Sequence, residues 1–237
     1  MLDLTRGPLL VGVASGPEAM AGCAAVARAA RLADVVEARL DLFAEPALEP
    51  CAEACRTLEA TGTPVLVTVR AARQGGRSQA ADAERLDSFR AALSLASWAD
   101  VEDDASIVAD VAALLAARGG QLVVSHHDFS RTPDTDQLLR IADRCRPVPG
   151  AIAKIATAVH GEADREALFA LLARRPDRTC VIGMGASPEL RIDLPARGSL
   201  LAYGYLDTPT APGQLSAAET HTRLLAASPS YAARKTG

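Results

Sequence analysis

Gln121-Leu122-Val123-Val124-Ser125-His126-His127, a helical pattern over 134–145, and Ala151-Ile152-Ala153-Lys154-Ile155-Ala156-Thr157 read as strand, helix, strand. Both strands are short and mostly apolar, which marks strands buried on two faces in a parallel sheet. Thr132-Pro133-Asp134 opens the helix between them, with acid at the positive end of its dipole. The same unit repeats outward in both directions. Strands are predicted at 9–14, 35–42, 64–70, 99–102, 121–127, 151–157, 179–184 and 200–206. Helices are predicted at 17–33, 47–60, 83–97, 106–117, 134–145, 162–174 and 216–226. The link between the last two strands is short and holds Pro188 and Pro195, so its helix has the weakest pattern. Ser216 and Glu219 are spaced as a capping box, and Gly119-Gly120 stops the fourth helix. Eight β–α alternations point to a (β/α)8 barrel, an α/β TIM-barrel fold, filling 1–237 as one domain with residues 228–237 as a frayed tail. An open doubly wound sheet is the alternative, but Ala14-Ser15-Gly16-Pro17 lacks the further glycines of a dinucleotide fingerprint.

The chain has 237 residues, 49% hydrophobic and only 3% aromatic, so its core is aliphatic. The net charge is -4 and the arginines are scattered, which leaves no basic footprint for nucleic acid. No apolar run is long enough for a membrane span and no signal peptide is evident. The five cysteines form no CxxC pair; Cys51 and Cys55 stand one helical turn apart, as on a shared face. Reduced thiols and a cytoplasmic location are expected.

Only two of the 25 basic residues are lysines. Lys235 lies near the C-terminus, whereas Lys154 lies inside the apolar strand 151–157. An ammonium there must be paired with a carboxylate or give up its proton, and the free amine is a nucleophile suited to imine formation. In a barrel, chemistry collects at the C-terminal ends of the strands. Glu37, Arg39 and Asp41 recur at every second position and face the interior together, as do Asp100 and Glu102. Ser125 and His127 share a face at the end of the fifth strand, next to the strand that carries Lys154. A histidine beside a buried amine suits proton traffic around an imine, and Arg39 and Arg70 suit an anionic, hydroxylated substrate. A structural ion pair at Lys154 and a structural role for the histidine remain open on this reading. The segment Pro209-Thr210-Ala211-Pro212-Gly213-Gln214 suits a closing loop.

These motifs resemble type I 3-dehydroquinate dehydratase, the Schiff-base enzyme of the shikimate pathway. The resemblance is carried by Glu37-Ala38-Arg39-Leu40-Asp41, Thr68-Val69-Arg70 with Gly75-Gly76, and Ser125-His126-His127-Asp128-Phe129 with Thr132-Pro133. It continues through Lys154-Ile155-Ala156, Met184-Gly185, Gly198-Ser199 and Ala211-Pro212-Gly213-Gln214, in the family's order across the chain. It implies a (β/α)8 fold and loss of water from 3-dehydroquinate to give 3-dehydroshikimate. It implies no cofactor and no metal, a small-molecule substrate as partner, and a homodimer. Lys154 would form the imine and His127 would act as general base and then acid. Gln74 would sit beside that histidine. Arg191 would clamp the substrate carboxylate; Glu37, Arg39 and Arg70 would bind the ring hydroxyls and carboxylate; Thr210 and Gln214 would close over it.

The chain departs from the family pattern in three places. Gln74 stands where a glutamate usually precedes the Gly-Gly pair, so the contact to His127 loses its charge, and restoring glutamate is expected to raise the rate. The segment from Met184 to Arg191 is one residue short, with Leu190 in place of a serine. Thr210 replaces a serine and keeps the hydroxyl. A diverged paralogue that binds a shikimate-like acid, or another imine-forming lyase on a small carboxylate, are the competing readings.

Overall fold

The computed structural model describes residues 2–29, 32–43, 48–185 and 187–236. Eight strands are present among them: β1 (Leu9–Ala14), β2 (Val35–Arg39), β3 (Val65–Thr68), β4 (Trp98–Glu102), β5 (Gln121–Asp128), β6 (Ile152–Ala158), β7 (Thr179–Met184) and β8 (Leu201–Tyr205). The helices are α1 (Pro17–Ala29), α2 (Leu48–Ala60), α3 (Asp82–Ala92), α4 (Val108–Ala116), α5 (Thr135–Arg144), α6 (Glu162–Arg174), α7 (Leu190–Ala196), α8 (Ala217–Ala227) and α9 (Pro229–Thr236). Every strand pair is parallel, in the order β7-β6-β5-β4-β3-β2-β1-β8. Strand β1 pairs with both β2 and β8, which an open doubly wound sheet numbered this way does not do; the sheet curls into a nearly closed barrel. Its seam lies between β7 and β8, where Leu200 N–H donates to Thr179 O and Val181 N–H to Ser199 Oγ, both at 2.8 Å. No helix among the described residues is long and apolar enough to cross a membrane.

The helix starts follow the sequence signals. Asp134 caps α5 by accepting from Gln137 N–H at 2.8 Å, and Ser216 caps α8 by accepting from Glu219 N–H at 3.1 Å. Gly119 adopts φ +66° just after α4, the left-handed turn that residue type favours. Inside the barrel, Leu9, Val35, Trp98, Val123 and Ile152 fill the N-terminal half with apolar side chains. Between sheet and helices a second apolar layer packs Val67, Val124 and Val181 against Leu58, Phe89 and Leu168. The C-terminal half of the interior is polar, and it is there that Glu37, Arg70, Asp100 and Lys154 are buried.

Several predicted bounds shift, three of them for a visible reason. β2 ends at Arg39 rather than Leu42, because the chain tightens into a 3-10 turn over Leu40–Leu42; the Asp41 carboxylate then grips Arg39 with two hydrogen bonds. The third helix, expected to reach residue 97, ends at Ala92, and Ser97 N–H is taken instead by Glu59 at 2.8 Å. The tail expected to fray is the helix α9, anchored by the wholly buried Tyr231 and by Lys235, whose Nζ lies 2.7 Å from Asp34 Oδ1. The first helix, expected to run to Ala33, is described to Ala29; residues 30–31, Ala47 at the expected start of α2, and Gly237 lie outside the described residues.

Candidate active site

The C-terminal strand ends surround a cavity that is open at its mouth. All nine side chains to which the resemblance gives a role line it: Glu37, Arg39, Arg70, Gln74, His127, Lys154, Arg191, Thr210 and Gln214.

Lys154 projects inward from β6 and is 4% exposed. Its Nζ donates to Asp100 Oδ2 at 2.9 Å and lies 4.2 Å from the centre of the Tyr203 ring. The ammonium is therefore paired. Asp100 also receives Arg70 Nη2 at 2.7 Å and the Ser125 hydroxyl at 2.5 Å. Burial works to raise its carboxyl; Arg70, then Lys154, outweigh burial and hold it far below the usual carboxylate range. Sequence reasoning placed Asp100 on the inner face of β4 without giving it a partner. Tyr203 was missed altogether, since a tyrosine in an apolar strand that also holds Tyr205 carries no signal of its own.

His127 stands opposite Ala156 in the sheet register, two residues beyond Lys154, which pairs with Ser125. Burial, then the positive charges of Arg70 and Lys154, depress its pKa well below 6.5, so the imidazole is neutral at neutral pH. Which ring nitrogen holds the proton follows from Gln74. Gln74 Oε1 accepts from His127 backbone N–H at 2.9 Å, while Gln74 Nε2 donates to Asp103 at 3.3 Å and to Asp104 at 3.0 Å. A backbone N–H only donates and an ionised carboxylate only accepts, so the amide has one orientation. His127 Nδ1, at 3.2 Å from the same Oε1, must then carry the hydrogen. Nε2 is left as the basic nitrogen.

The cavity arginines differ in their partners. Arg39 is held by Asp41 and Arg70 by Asp100, Glu102 and Ser125. Glu102 also pairs with Arg85 of α3. Glu37 accepts from the Thr68 hydroxyl at 2.7 Å. Arg191, in the first turn of α7, has no carboxylate partner among the described residues; its Nη2 donates to Pro212 O at 2.7 Å. Burial lowers its pKa to about 10. The short connection before α7 thus still delivers Arg191 to the cavity, with Ala186 outside the described residues. Leu190 is accounted for by packing: it fills the space over Gly183, where a Cβ would lie 2.2 Å from Leu190 Cδ2.

Gln214 Oε1 accepts from the Thr210 backbone N–H at 2.8 Å and from its hydroxyl at 3.0 Å. This sets the Gln214 amide with its NH2 as the end available to a ligand. Gly213, at φ +67°, packs so tightly on Gly185 that a Cβ would lie 2.1 Å from Gly185 O, which fixes the loop across the mouth. The site thus offers a buried amine, a neutral imidazole, a guanidinium with no carboxylate partner among the described residues, and a loop that covers them. Among the described residues no group of three or more His, Cys, Asp or Glu is placed to hold a metal ion.

A family model described as type I 3-dehydroquinase matches residues 15–228. The chain is 34% identical over 186 residues to a 3-dehydroquinate dehydratase of Methanocella arvoryzae, an alignment covering 77% of this chain and 82% of the relative. It is 34% identical over 194 residues to that of Methanothrix thermoacetophila, covering 81% of each. The crystal structure of 3-dehydroquinate dehydratase from Aquifex aeolicus VF5 superposes with a TM-score of 0.76 over 92% of this chain and 98% of that one. At 22% identity, this last likeness speaks for the fold alone.

Proposed function

The chain belongs to the type I 3-dehydroquinase family, and from that premise we propose that it dehydrates 3-dehydroquinate through an imine on Lys154, with His127 moving the proton. The observation that carries this reading is the convergence of a buried amine and a neutral imidazole on one cavity with an arginine that has no counter-ion among the described residues.

Arg191 draws the substrate carboxylate, since the other two cavity arginines are already neutralised by acids. The amine form of Lys154 attacks the ring ketone, and loss of one water gives the imine. Protonated, that imine carries its positive charge on the same nitrogen, so Asp100 pairs with it as it paired with the ammonium. The charged imine withdraws electrons from the neighbouring carbon. His127 Nε2 takes the proton from that carbon; the electron pair left behind then expels the hydroxyl, to which His127 returns the proton. Addition of one water to the imine frees 3-dehydroshikimate and restores the amine. One water is consumed and two are released, so the net change is loss of one.

Borohydride added during turnover should fix the substrate skeleton to Lys154, seen as a mass increase on the peptide containing it, and dehydroshikimate absorbance should grow without borohydride. If neither occurs, the reading is wrong.

A further inference from the structure

Behind Gln74 lie two acids that the proposed reaction does not use. We infer that Asp103 is a positioning residue for His127, acting through the Gln74 amide to hold the imidazole as its Nδ1–H tautomer with Nε2 open to the reacting proton. The inference rests on the reading of His127 as the general acid/base.

Asp103 stands out from Asp104 by its burial. Its side chain is 2% exposed, against 50% for Asp104, which is engaged by Arg73 at the surface. Three donors reach it: Gln74 from the turn after β3, His126 Nδ1 from β5 at 3.2 Å, and Arg144 Nη2 from α5 at 2.8 Å. Burial alone would raise its carboxyl, but His126 and Arg144 overcome that and lower it, so it stays ionised and can only accept. The Gln74 NH2 must then face the acid and its oxygen must face His127. When the imidazole takes up a proton, the oriented amide dipole stabilises the imidazolium, with the Asp103 charge one residue behind it.

The same geometry reverses the expectation for glutamate at position 74. A carboxylate there would touch His127 directly, but it would also face Asp103 and Asp104 across 3.3 and 3.0 Å. Like charges that close cannot all ionise without cost. Gln74 and Asp103 therefore form a matched pair, and changing one alone is worse than changing both.

Imidazole 15N spectra of the whole protein at neutral pH test the tautomer without reference to activity. His127 should carry its hydrogen on Nδ1; an Nε2–H form overturns the inference even if the enzyme is active. Asp103→Asn removes the charge behind the amide, while Asp104 and the His127 backbone N–H still orient it, so the imidazolium loses support and kcat should fall about tenfold with KM changed less than about twofold. Gln74→Glu alone should also lower kcat, whereas Gln74→Glu added to Asp103→Asn should recover most of it. Rescue by the double change is not expected of a merely structural role. An unchanged rate in Asp103→Asn, or a faster Gln74→Glu single variant, overturns the inference. Should Asp103→Asn fail to fold, the wild-type tautomer and the Gln74→Glu rate still decide. Absence of turnover in the wild type would sink the dehydratase reading but leave the tautomer measurement to judge Asp103.

Discussion

Lys154 and Asp100 come from β6 and β4, with β5 between them, yet Lys154 Nζ lies 2.9 Å from Asp100 Oδ2. Strands of a closed barrel are staggered, so side chains from alternate strands share a layer. Ser125, on the intervening β5, completes the arrangement by donating to Asp100 and accepting from Arg70. Asp100 thus pairs with two buried cations, of which Arg70 also reaches Glu102, and this ties the placement of the amine to the stability of the barrel interior.

Asp100→Asn keeps the shape and removes the charge. Lys154 and Arg70 are then left in the interior with less compensation, and breaking a buried pair in this way costs about 3 kcal/mol. Urea denaturation should show that loss, and trapping by borohydride should slow because the charged imine has lost its counter-ion. Lys154→Met should abolish trapping completely. Wild-type stability in Asp100→Asn would contradict this account of the pair.

The pH dependence has a definite sign. His127 works as a neutral base, and burial, with Arg70 and Lys154, keeps its pKa well below 6.5. Turnover should hold its neutral-pH value through 6.5 and decline only at lower pH, as the imidazole takes up a proton. Stability follows the same direction. Between 6.5 and the folded-state value, the unfolded chain binds a proton that the native chain does not, so this contribution is complete above 6.5 and is lost as pH falls through that window. His127→Gln should remove that component of the slope of ΔG against pH. A rate already halved at 6.5 would contradict the depressed pKa.

Arg191 illustrates a trade between stability and binding. Among the described residues its one hydrogen-bond partner is Pro212 O and no carboxylate pairs with it, so it brings a desolvation cost without an ion pair in return. Arg191→Met should leave Tm unchanged or raise it. The same change should raise KM roughly tenfold to a hundredfold, the worth of one charge-assisted contact to the substrate carboxylate. A melt lowered as far as that of Asp100→Asn would show that Arg191 is structurally paired after all.

The fold was legible because each strand is a compact apolar run between stop signals, and β1 and β7 begin and end where the pattern says. The inner face of β2 was legible too, since period-two spacing is a local property. The partner of Lys154 was not. Asp100 reaches it only through the stagger of the barrel, and stagger is set by pairing across the whole sheet, not by any local pattern. The acids behind Gln74 were hidden for the same reason: Asp103 and Asp104 follow β4, and the turn after β3 brings Gln74 to them. The bend at the end of β2 escaped because alternation continues through Leu40, Asp41 and Leu42, while the Arg39–Asp41 pairing that folds the chain back leaves no mark in a hydrophobic pattern.

The C-terminal helix gives the clearest test of a contact that sequence position conceals. Eight residues at a chain end, with no apolar face of their own, are expected to fray. In α9, however, Tyr231 is fully buried beside Leu10, Leu224 and Ile192, and its hydroxyl lies 2.8 Å from His221 Nδ1. Lys235 reaches Asp34 Oδ1, while Asp34 Oδ2 accepts from the N–H of Leu10 in β1 at 2.8 Å, so the helix is linked to the first strand. Arg234 donates to Gly7 O at 3.1 Å, just before that strand. Tyr231→Ala should therefore cost about 3 kcal/mol or more, as large-to-small changes at buried aromatic positions do. Tyr231→Phe keeps the packing and loses one hydrogen bond, a change of about 1 kcal/mol. Thermal melts should rank wild type above Tyr231→Phe and that variant well above Tyr231→Ala, with kcat of the folded fraction unchanged because the helix lies outside the cavity lining. If Tyr231→Ala melts with the wild type, the helix adds nothing to the barrel and fraying is the better description of the tail.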